Sequence, residues 1–287
     1  MPRVWTVLEA LKVEHTVFAL PFAYLGMLLG ASSRGAPPTL REVVLVTVAL
    51  AGARTFAMAA NRIVDREIDA RNPRTANRAL PQGRLRVRDL ALVGLGGLGI
   101  MLLAAWQLNV LCLALAPLAV AVLAVYPYTK RFTWLSHAIL GLADGAAPLG
   151  GWMAVTGAIG LEGVLLALAV ACWVGGFDLI YACLDADFDR QAGLHSVPAR
   201  FGVATALHLS TLAHLATLGL LAVVGRLMGL GVLYWLGLAV AAGLFVYEHA
   251  IVRPDDLSRV DVAFFTVNGY IAIVVFLATA GALYVPV

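Results

Sequence analysis

The sequence predicts an all-α, polytopic membrane protein. Of the 287 residues, 61% are hydrophobic and only 13% are charged, and the mean hydropathy is +0.89. Apolar runs of about 18 or more residues recur along the chain, and each is long enough to cross a bilayer as a helix. Lys and Arg residues collect in alternate loops, which is typical of a multi-pass protein. These three observations exclude a soluble globular domain.

Nine apolar runs qualify as spans, each close to the ~20 residues that a membrane helix needs. The first follows the polar start MPRVWTVLEALKVEH and continues as a full span, so no cleavable signal peptide is expected. Only a short break at 107–109 separates the third span from the fourth. No linker or second composition regime interrupts the chain, so residues 1–287 are expected to form one integral-membrane domain. The spans lie near 16–33, 40–60, 89–107, 109–127, 135–155, 162–183, 203–224, 228–249 and 262–284.

The basic residues predict the orientation of the chain. With nine spans, the N-terminus and the loops after the even-numbered spans carry 16 of the 20 Lys and Arg residues. The positive-inside rule assigns that side to the cytoplasm. We therefore expect a cytoplasmic (inner) membrane protein with its N-terminus inside and its C-terminus outside.

Two acidic motifs lie at the predicted cytoplasmic ends of spans 2 and 6. In each, polar residues recur at every fourth position, which places their side chains on one helix face about a turn apart. Carboxylates so placed repel each other unless a cation lies between them. Magnesium prefers oxygen ligands and is usually held by one or two carboxylates plus substrate phosphates. The motif residues are Asn61, Asp65 and Asp69 in the first motif, and Tyr181, Asp185 and Asp189 in the second.

The presence of two motifs favours a site for Mg²⁺ and diphosphate. A single motif is equally well explained as solvated loop charge that nearby arginines neutralise. Here one motif comes from each half of the chain, and each is followed by a basic, turn-rich segment. The match of NRIVDREID to YACLDADFD also suggests an internal duplication that relates spans 2 and 6.

Basic residues near the motifs suit the oxygens of a diphosphate. The positive-inside rule explains basic loops without any ligand, so only some of these residues are expected to bind one. Three of them, Arg74, Arg78 and Lys130, are the principal candidates. The full set of candidates is Arg66, Arg74, Arg78, Lys130 and Arg131.

Ionisable residues inside the predicted spans suggest a polar pocket beneath the metal site that can receive a second, polar substrate. Arg54 lies in span 2, Asp144 in span 5, and Asp178 one to two turns before Asp185. Such residues are costly in a bilayer and usually face a cavity or a partner, so an Arg54–acid pair that stabilises the bundle is the alternative. His15, at the start of span 1, either lines the pocket or lies at the interface. Four ionisable residues without motif context, for which no functional role is expected, are His208, His214, Glu248 and His249.

These stretches resemble the UbiA family of intramembrane aromatic prenyltransferases, and the 4-hydroxybenzoate polyprenyltransferases in particular. The resemblance covers essentially the whole chain, and its most specific stretches are ARTFAMAANRIVDREIDARNPRTANRALPQG (53–83) and FDLIYACLDADFDRQAGLHSVPARFG (177–202). They are similar to the N-x3-D-x3-D and D-x3-D motifs of the family, and YPYTKRFT resembles its segment with a basic diphosphate-binding residue. Ala79 stands where the family usually has proline. The start of span 1, VEHTVFALPFAY, departs from the common K-P-x-G pattern, which leaves the acceptor open.

The resemblance implies nine helices around a central cavity that opens to lipid, and Mg²⁺-dependent transfer of a polyprenyl group to an aromatic ring. Polyprenyl diphosphate and a small aromatic acid would be the substrates, and the lipid bilayer the surroundings. No nucleic acid or protein partner is expected. The implied ligands of two Mg²⁺ ions are Asn61, Asp65, Asp69, Asp185 and Asp189. The implied catalytic residues are Lys130, Asp178, Tyr181 and Asp185, and the implied acceptor-binding residues are Arg54, His15 and Asp144.

The acceptor stays open, and two rival classes of protein are weighed against the prenyltransferase. The acceptor is 4-hydroxybenzoate or a naphthoate of menaquinone synthesis. A transporter could use Arg54, Asp144 and Asp178 as a path, but the acidic residues concentrate at one face and the apparent repeat is parallel rather than inverted. A CDP-alcohol phosphotransferase would carry a D-x2-D-G-x2-A-R run, and the sequence has none.

Overall fold

The structure is a computed structural model that describes residues 4–285, apart from the side chains of residues 4 and 13–18. Within these residues the chain forms twelve α-helices and no β-strand. A 3₁₀ turn, Cys183–Asp185, joins α7 to α8, and a π-helical turn, Val262–Val267, precedes α12. The helices are α1 (Val4–Leu11), α2 (Val13–Ser33), α3 (Leu40–Arg71), α4 (Val87–Leu108), α5 (Val110–Thr129), α6 (Ser136–Thr156), α7 (Leu161–Ala182), α8 (Ala186–Ala192), α9 (Val197–Phe201), α10 (Val203–Leu227), α11 (Val232–Ile251) and α12 (Asn268–Tyr284).

The helices confirm an all-α integral membrane protein. In the described part of the chain, eight helical segments are long and apolar enough to cross a bilayer, and Ala19–Ser33 within α2 is a shorter apolar helix. The nine predicted spans correspond to α2–α7 and α10–α12. Each span boundary agrees with a helix boundary to within a few residues, except at the end of the second span, when the π-helical turn Val262–Val267 is counted with α12.

The chain divides into two compact units. Unit 1 consists of Met1–Leu20 and Thr39–Tyr128, and unit 2 consists of Pro21–Pro38 and Thr129–Val287. Unit 1 therefore contains the first acidic motif, and unit 2 contains the second.

In unit 1, α3 packs closely against α4. Thr39 and Glu42 form a capping box that satisfies the first backbone N–H groups of α3. A Cβ atom added at Gly52 would lie 2.6 Å from the carbonyl oxygen of Gly97, so this crossing requires glycine. Small residues at such crossings let membrane helices approach closely, and they hold α3 against its neighbour.

α3 continues well beyond the predicted end of span 2 at residue 60. Its 32 residues correspond to about 48 Å, which exceeds the ~30 Å hydrocarbon core of a bilayer. The helix ends where the Asn72 backbone N–H donates to the carbonyl oxygen of Ile68. The first acidic motif thus lies on the last turns of one uninterrupted helix.

In unit 2, α6 and α7 approach most closely at glycines. A Cβ atom at Gly141 would lie 2.2 Å from the carbonyl oxygen of Ala171, and one at Gly145 would lie 2.5 Å from that of Ala167. α7 is largely buried, and Trp173 on it is completely inaccessible to solvent. This close contact fixes the helix that leads into the second acidic motif.

The second motif differs from the first in its backbone. Tyr181 lies on α7, Asp185 ends the 3₁₀ turn, and Asp189 lies on α8. The 3₁₀ turn has about three residues per turn rather than 3.6 and changes the direction of the side chains that follow. The prediction of one continuous helical face is therefore wrong for this motif, because the turn interrupts the i, i+4 pattern.

Candidate active site

The first acidic motif places two of its three side chains in direct contact. The Asn61 side-chain amide Nδ2 donates to Oδ2 of Asp65 over 3.3 Å, as expected for residues four apart on a helix. Asp65 is only 2% exposed, and Asn61 is half-buried. The two residues thus present amide and carboxylate oxygens on one protected face of α3.

The third member of this motif, Asp69, pairs with arginine. Nη1 of Arg78 lies 2.7 Å from Oδ1 and 2.8 Å from Oδ2 of Asp69, and Nη1 of Arg62 lies 4.0 Å from Oδ2. Asp69 is 5% exposed, and a buried carboxylate is stable in its ionised form only with such partners. Arg78, expected to bind diphosphate, therefore also orients a carboxylate of the motif. No motif in the sequence indicates a role for Arg62.

The loop after α3 is folded back onto the motif by short-range hydrogen bonds. The Thr75 hydroxyl donates to the backbone carbonyl of Asp69 over 3.0 Å. The Arg74 backbone N–H donates to Oδ1 of Asn72 over 2.9 Å, and the Arg74 side chain is half-buried. Arg74 and Arg78 are thus carried by a structured loop that is attached to the end of the first motif.

In unit 2, Asp189 lies in a group of charged and polar side chains. The Ser196 hydroxyl hydrogen-bonds to its carboxylate, and Asp185, Lys130 and His137 lie within electrostatic range. The backbone carbonyl of Lys130 accepts a 2.7 Å hydrogen bond from the backbone N–H of residue 195, which ties the end of α5 to the loop after α8. The structure therefore brings Lys130 close to the second motif, as its proposed role requires.

Asp178 is held by a histidine that the sequence did not indicate. Nδ1 of His137 lies 2.7 Å from Oδ2 of Asp178, and Nε2 of His137 accepts a 3.4 Å hydrogen bond from the Val197 backbone N–H. Since Nε2 accepts, the neutral ring carries its proton on Nδ1 and donates it to Asp178; this tautomer is assigned from the hydrogen bonds. One feature of the sequence could have indicated this role: His137 lies at the start of a predicted span, on the predicted cytoplasmic side that also carries the second motif.

Tyr181 packs among aromatic rings. Its ring stacks on Phe264 with centroids 4.2 Å apart and lies edge-on to Phe265 at 6.1 Å. Phe264 also contacts Phe177 edge-on at 5.0 Å. These contacts fix the Tyr181 ring one turn before Asp185.

The other predicted residues differ in their exposure to solvent. Arg66 is exposed, and its guanidinium pairs with Glu67 at 3.1 Å. Arg54, Arg131 and Asp144 are half-buried. The side chain of His15 lies outside the described residues.

The donor atoms of the two motifs fit magnesium. The first motif offers one amide and two carboxylate groups, and Asp185 and Asp189 offer two further carboxylates. Neither set contains sulfur or imidazole, and an all-oxygen set suits Mg²⁺ rather than a softer transition metal. Each of the two sets of donor atoms is therefore chemically suited to Mg²⁺.

A membrane-embedded helical fold with two aspartate-rich helix ends defines a class of enzyme, the intramembrane prenyltransferases. The sequence model of the UbiA prenyltransferase family matches residues 19–281, which is most of the chain. The chain belongs to this family, and the protein is a prenyl-transferring enzyme. The resemblance inferred from the motifs is thereby confirmed.

Relatives support the same assignment. The chain is 33% identical over 216 residues to the 4-hydroxybenzoate octaprenyltransferase of Tolumonas auensis, covering 75% of both chains. It is 31% identical over 208 residues to the enzyme of the same name from Azotobacter vinelandii, covering 71% of this chain and 69% of that one.

Solved structures agree on the fold. The unliganded structure of a UbiA homolog from Aeropyrum pernix K1 is 37% identical, with a TM-score of 0.83 over 92% of this chain and 96% of that one. A UbiA homolog from Archaeoglobus fulgidus, solved with GPP and Mg²⁺, has a TM-score of 0.73 at 22% identity, over 98% of this chain and all of that one.

Proposed function

We propose that this protein transfers a polyprenyl group from polyprenyl diphosphate to 4-hydroxybenzoate in ubiquinone biosynthesis. The observation that carries the proposal is the identity of 33% and 31% to two 4-hydroxybenzoate octaprenyltransferases, each over about 70% or more of this chain. The binding of GPP and Mg²⁺ by a homolog of the same fold supports a prenyl diphosphate as donor. Membership of a prenyltransferase family favours an enzyme over the transporter.

The two acidic motifs supply ligands to Mg²⁺, for which we propose two ions. When bound, Mg²⁺ stabilises the negative charge that develops on the leaving diphosphate. Basic side chains bind the same diphosphate oxygens, and pre-oriented charges of this kind lower the barrier because they need no reorganisation. The proposed ligands are Asn61, Asp65, Asp69, Asp185 and Asp189, and the proposed diphosphate-binding residues are Arg66, Arg74, Arg78, Lys130 and Arg131.

In the reaction, the allylic C–O bond breaks and its electron pair leaves with the diphosphate. A ring carbon of the acceptor then forms a bond to the allylic carbon, and the ring loses one proton to restore its aromaticity. Asp178 or the diphosphate accepts that proton. His137 assists Asp178 because its Nδ1–H, 2.7 Å from Oδ2, fixes the orientation of the carboxylate.

The acceptor is oriented by polar groups within the spans, for which we propose Arg54, Asp144 and His15. Tyr181, held one turn before Asp185 by its stack on Phe264, is proposed as a further catalytic residue. Apolar surroundings exclude water, which would otherwise react with the allylic cation.

A product assay tests the function. Membranes that contain the protein are incubated with Mg²⁺, a polyprenyl diphosphate, and either 4-hydroxybenzoate or a dihydroxynaphthoate, and the prenylated product is identified by mass spectrometry. We expect prenyl-4-hydroxybenzoate. Product from the naphthoate alone would assign the enzyme to menaquinone synthesis instead, and product from neither acceptor would refute both assignments.

The motif residues are tested in the same assay. We expect Asp65→Asn and Asp185→Asn to abolish transfer without unfolding the protein. Asp187→Asn is the matched control, because Asp187 is exposed and pairs only with the exposed Arg190 at 2.8 Å among the interactions described. Full activity in either motif variant would refute the proposed metal-binding role.

We also propose that the protein lies in the cytoplasmic membrane with its N-terminus inside and its C-terminus outside. The excess of Lys and Arg in alternate loops supports this orientation. The single domain, and the duplication that would relate spans 2 and 6, are proposals of the same kind. The duplication is supported by one acidic motif on the last turns of α3 and a second that begins on the last turn of α7, and the single domain by the absence of a linker in the sequence.

A further inference from the structure

A second group of polar residues lies in unit 2, on helices that carry none of the motif residues. His214 on α10 is 2% exposed, Glu248 on α11 is completely buried, and His249 beside it is half-buried. His214 lies about 16 Å along α10 from its first residue, well within an apolar helix. Ionisable side chains at such positions are costly and usually have a specific partner.

The three side chains converge on one point. Nδ1 of His214 lies 3.0 Å from Nε2 of His249 and 3.4 Å from Oε2 of Glu248, and ligand atoms of all three lie within 4.8 Å of one another. Two ligands bound tetrahedrally at about 2.0–2.1 Å from a zinc ion are about 3.3 Å apart. The two separations from Nδ1 of His214, 3.0 and 3.4 Å, are close to that value.

Hydrogen bonds on the outer side of the imidazoles determine which nitrogens face the point of convergence. Nε2 of His214 lies 3.3 Å from the backbone carbonyl of Trp173, which can only accept, so Nε2 carries the proton. The Thr211 hydroxyl donates to the Leu207 carbonyl over 3.0 Å and lies 3.3 Å from Nδ1 of His249, which then donates to it. With these tautomers the two rings direct lone pairs at each other over 3.0 Å, an arrangement that a metal ion bound to both nitrogens would stabilise.

The carboxylate of Glu248 is oriented in the same way. Oε1 accepts from the Asn268 amide over 2.6 Å, and the amide oxygen of Asn268 accepts from the Trp173 indole N–H over 2.7 Å. Oε2 is buried and has no hydrogen-bond donor in the structure. A buried carboxylate oxygen without a partner is unfavourable, and here it faces the two imidazole nitrogens.

We propose that His214, Glu248 and His249 bind a divalent transition-metal ion, Zn²⁺ in the first instance, which links α10 to α11. Two imidazoles and one carboxylate form a known zinc ligand set. Histidines that bind metals usually donate their other N–H to a carbonyl or a comparable acceptor, as both do here. The alternative to a metal ion is a proton on Glu248. That proton could form a hydrogen bond to only one of the two facing imidazole nitrogens, and the other nitrogen would have no donor.

The metal content of the purified protein tests this proposal. The full-length protein is purified with a histidine-free tag, washed with a weak chelator, and analysed by inductively coupled plasma mass spectrometry. We expect one zinc ion per chain in the wild type and its loss in Glu248→Gln and His249→Gln. Glu248→Gln preserves the acceptor for Asn268, so loss of zinc in it reports on the ligand rather than on the fold. His208→Ala, which removes an exposed histidine from the same helix, should keep the ion.

Two further measurements separate a metal site from a merely structural cluster. Thr211→Val leaves all three ligands in place but removes the acceptor for His249, and we expect zinc affinity to fall about 10- to 100-fold. After treatment with a strong chelator, adding Zn²⁺ should raise the Tm of the wild type but not of Glu248→Gln. Equal zinc content in the wild type and both ligand variants, or no effect of Zn²⁺ on Tm, would overturn the proposal. Prenyl transfer with Mg²⁺ is measured separately, because the two proposals share no residues.

Discussion

The contact between His137 and Asp178 gives the sharpest prediction about the reaction. The hydrogen bond joins Nδ1 of His137 to Oδ2 of Asp178 over 2.7 Å, and the two side chains are 9% and 23% exposed. Both are protected enough that solvent cannot replace the lost donor fully. A hydrogen bond to a charged group contributes about 1.5–3 kcal/mol. At about 1.4 kcal/mol per tenfold in rate, His137→Leu should lower kcat by roughly 10- to 150-fold.

His137→Asn is the matched variant. The side-chain amide of asparagine can place a donor near the position of Nδ1, but it cannot accept from the Val197 backbone N–H as Nε2 does. We therefore expect His137→Asn to retain more activity than His137→Leu. The assay is steady-state prenyl transfer in detergent or membranes, with kcat and KM determined separately and with thermal unfolding as a check on folding.

A double-mutant cycle tests whether His137 acts through Asp178. If it does, the variant with both His137→Leu and Asp178→Asn should be little worse than Asp178→Asn alone, because the interaction is already lost. Additive losses would show that His137 acts independently. Unchanged kcat in His137→Leu would refute the positioning role altogether.

Three further predictions concern Arg78, Gly141 and the requirement for Mg²⁺. Arg78→Ala should lower the free energy of unfolding by about 1.5–3 kcal/mol and reduce activity, because it removes the donor to both oxygens of Asp69; an unchanged Tm would contradict this. Gly141→Ala should destabilise the protein by about 1–3 kcal/mol, because its Cβ would meet the Ala171 carbonyl, whereas Gly150→Ala on the same helix meets nothing within 4 Å and should be neutral. Chelation of Mg²⁺ should abolish transfer reversibly, and activity that survives thorough chelation would exclude a requirement for the metal.

Most of the fold could be predicted from the sequence because a bilayer leaves few choices. Every backbone polar group must be satisfied within the hydrocarbon, so each apolar run of about 20 residues forms a helix. The run at 109–127, for example, became α5, Val110–Thr129. Beyond the hydrocarbon, hydropathy no longer predicts the helix, but the i, i+4 spacing of the first motif does. α3 accordingly continues to Arg71, because its backbone hydrogen bonds do not depend on side-chain polarity.

The 3₁₀ turn at Cys183–Asp185 could not be predicted for a different reason. No proline or glycine marks it, and the motif spacing alone favoured a regular helix. The spacing of the motif residues also does not indicate His137, because it lies 41 residues before its partner Asp178 in the sequence. The sequence predicts no functional role for His214, Glu248 and His249, because none of them stands in a motif. Such arrangements arise from packing between helices, and one sequence alone does not encode them in any local pattern.

The carboxylates Asp69 and Asp178 have one feature in common that a motif cannot express. Each is held by a donor from outside its own helix: Asp69 by Arg78 in the following loop, and Asp178 by His137 at the start of α6. A carboxylate fixed by a hydrogen bond does not have to reorient as charge develops in the reaction, and this pre-orientation is a main source of catalytic power. We therefore propose that the loop after α3 and the first turn of α6 act in catalysis as positioning elements. Exchanging either segment for one of equal length and polarity should impair the reaction even when every aspartate is kept.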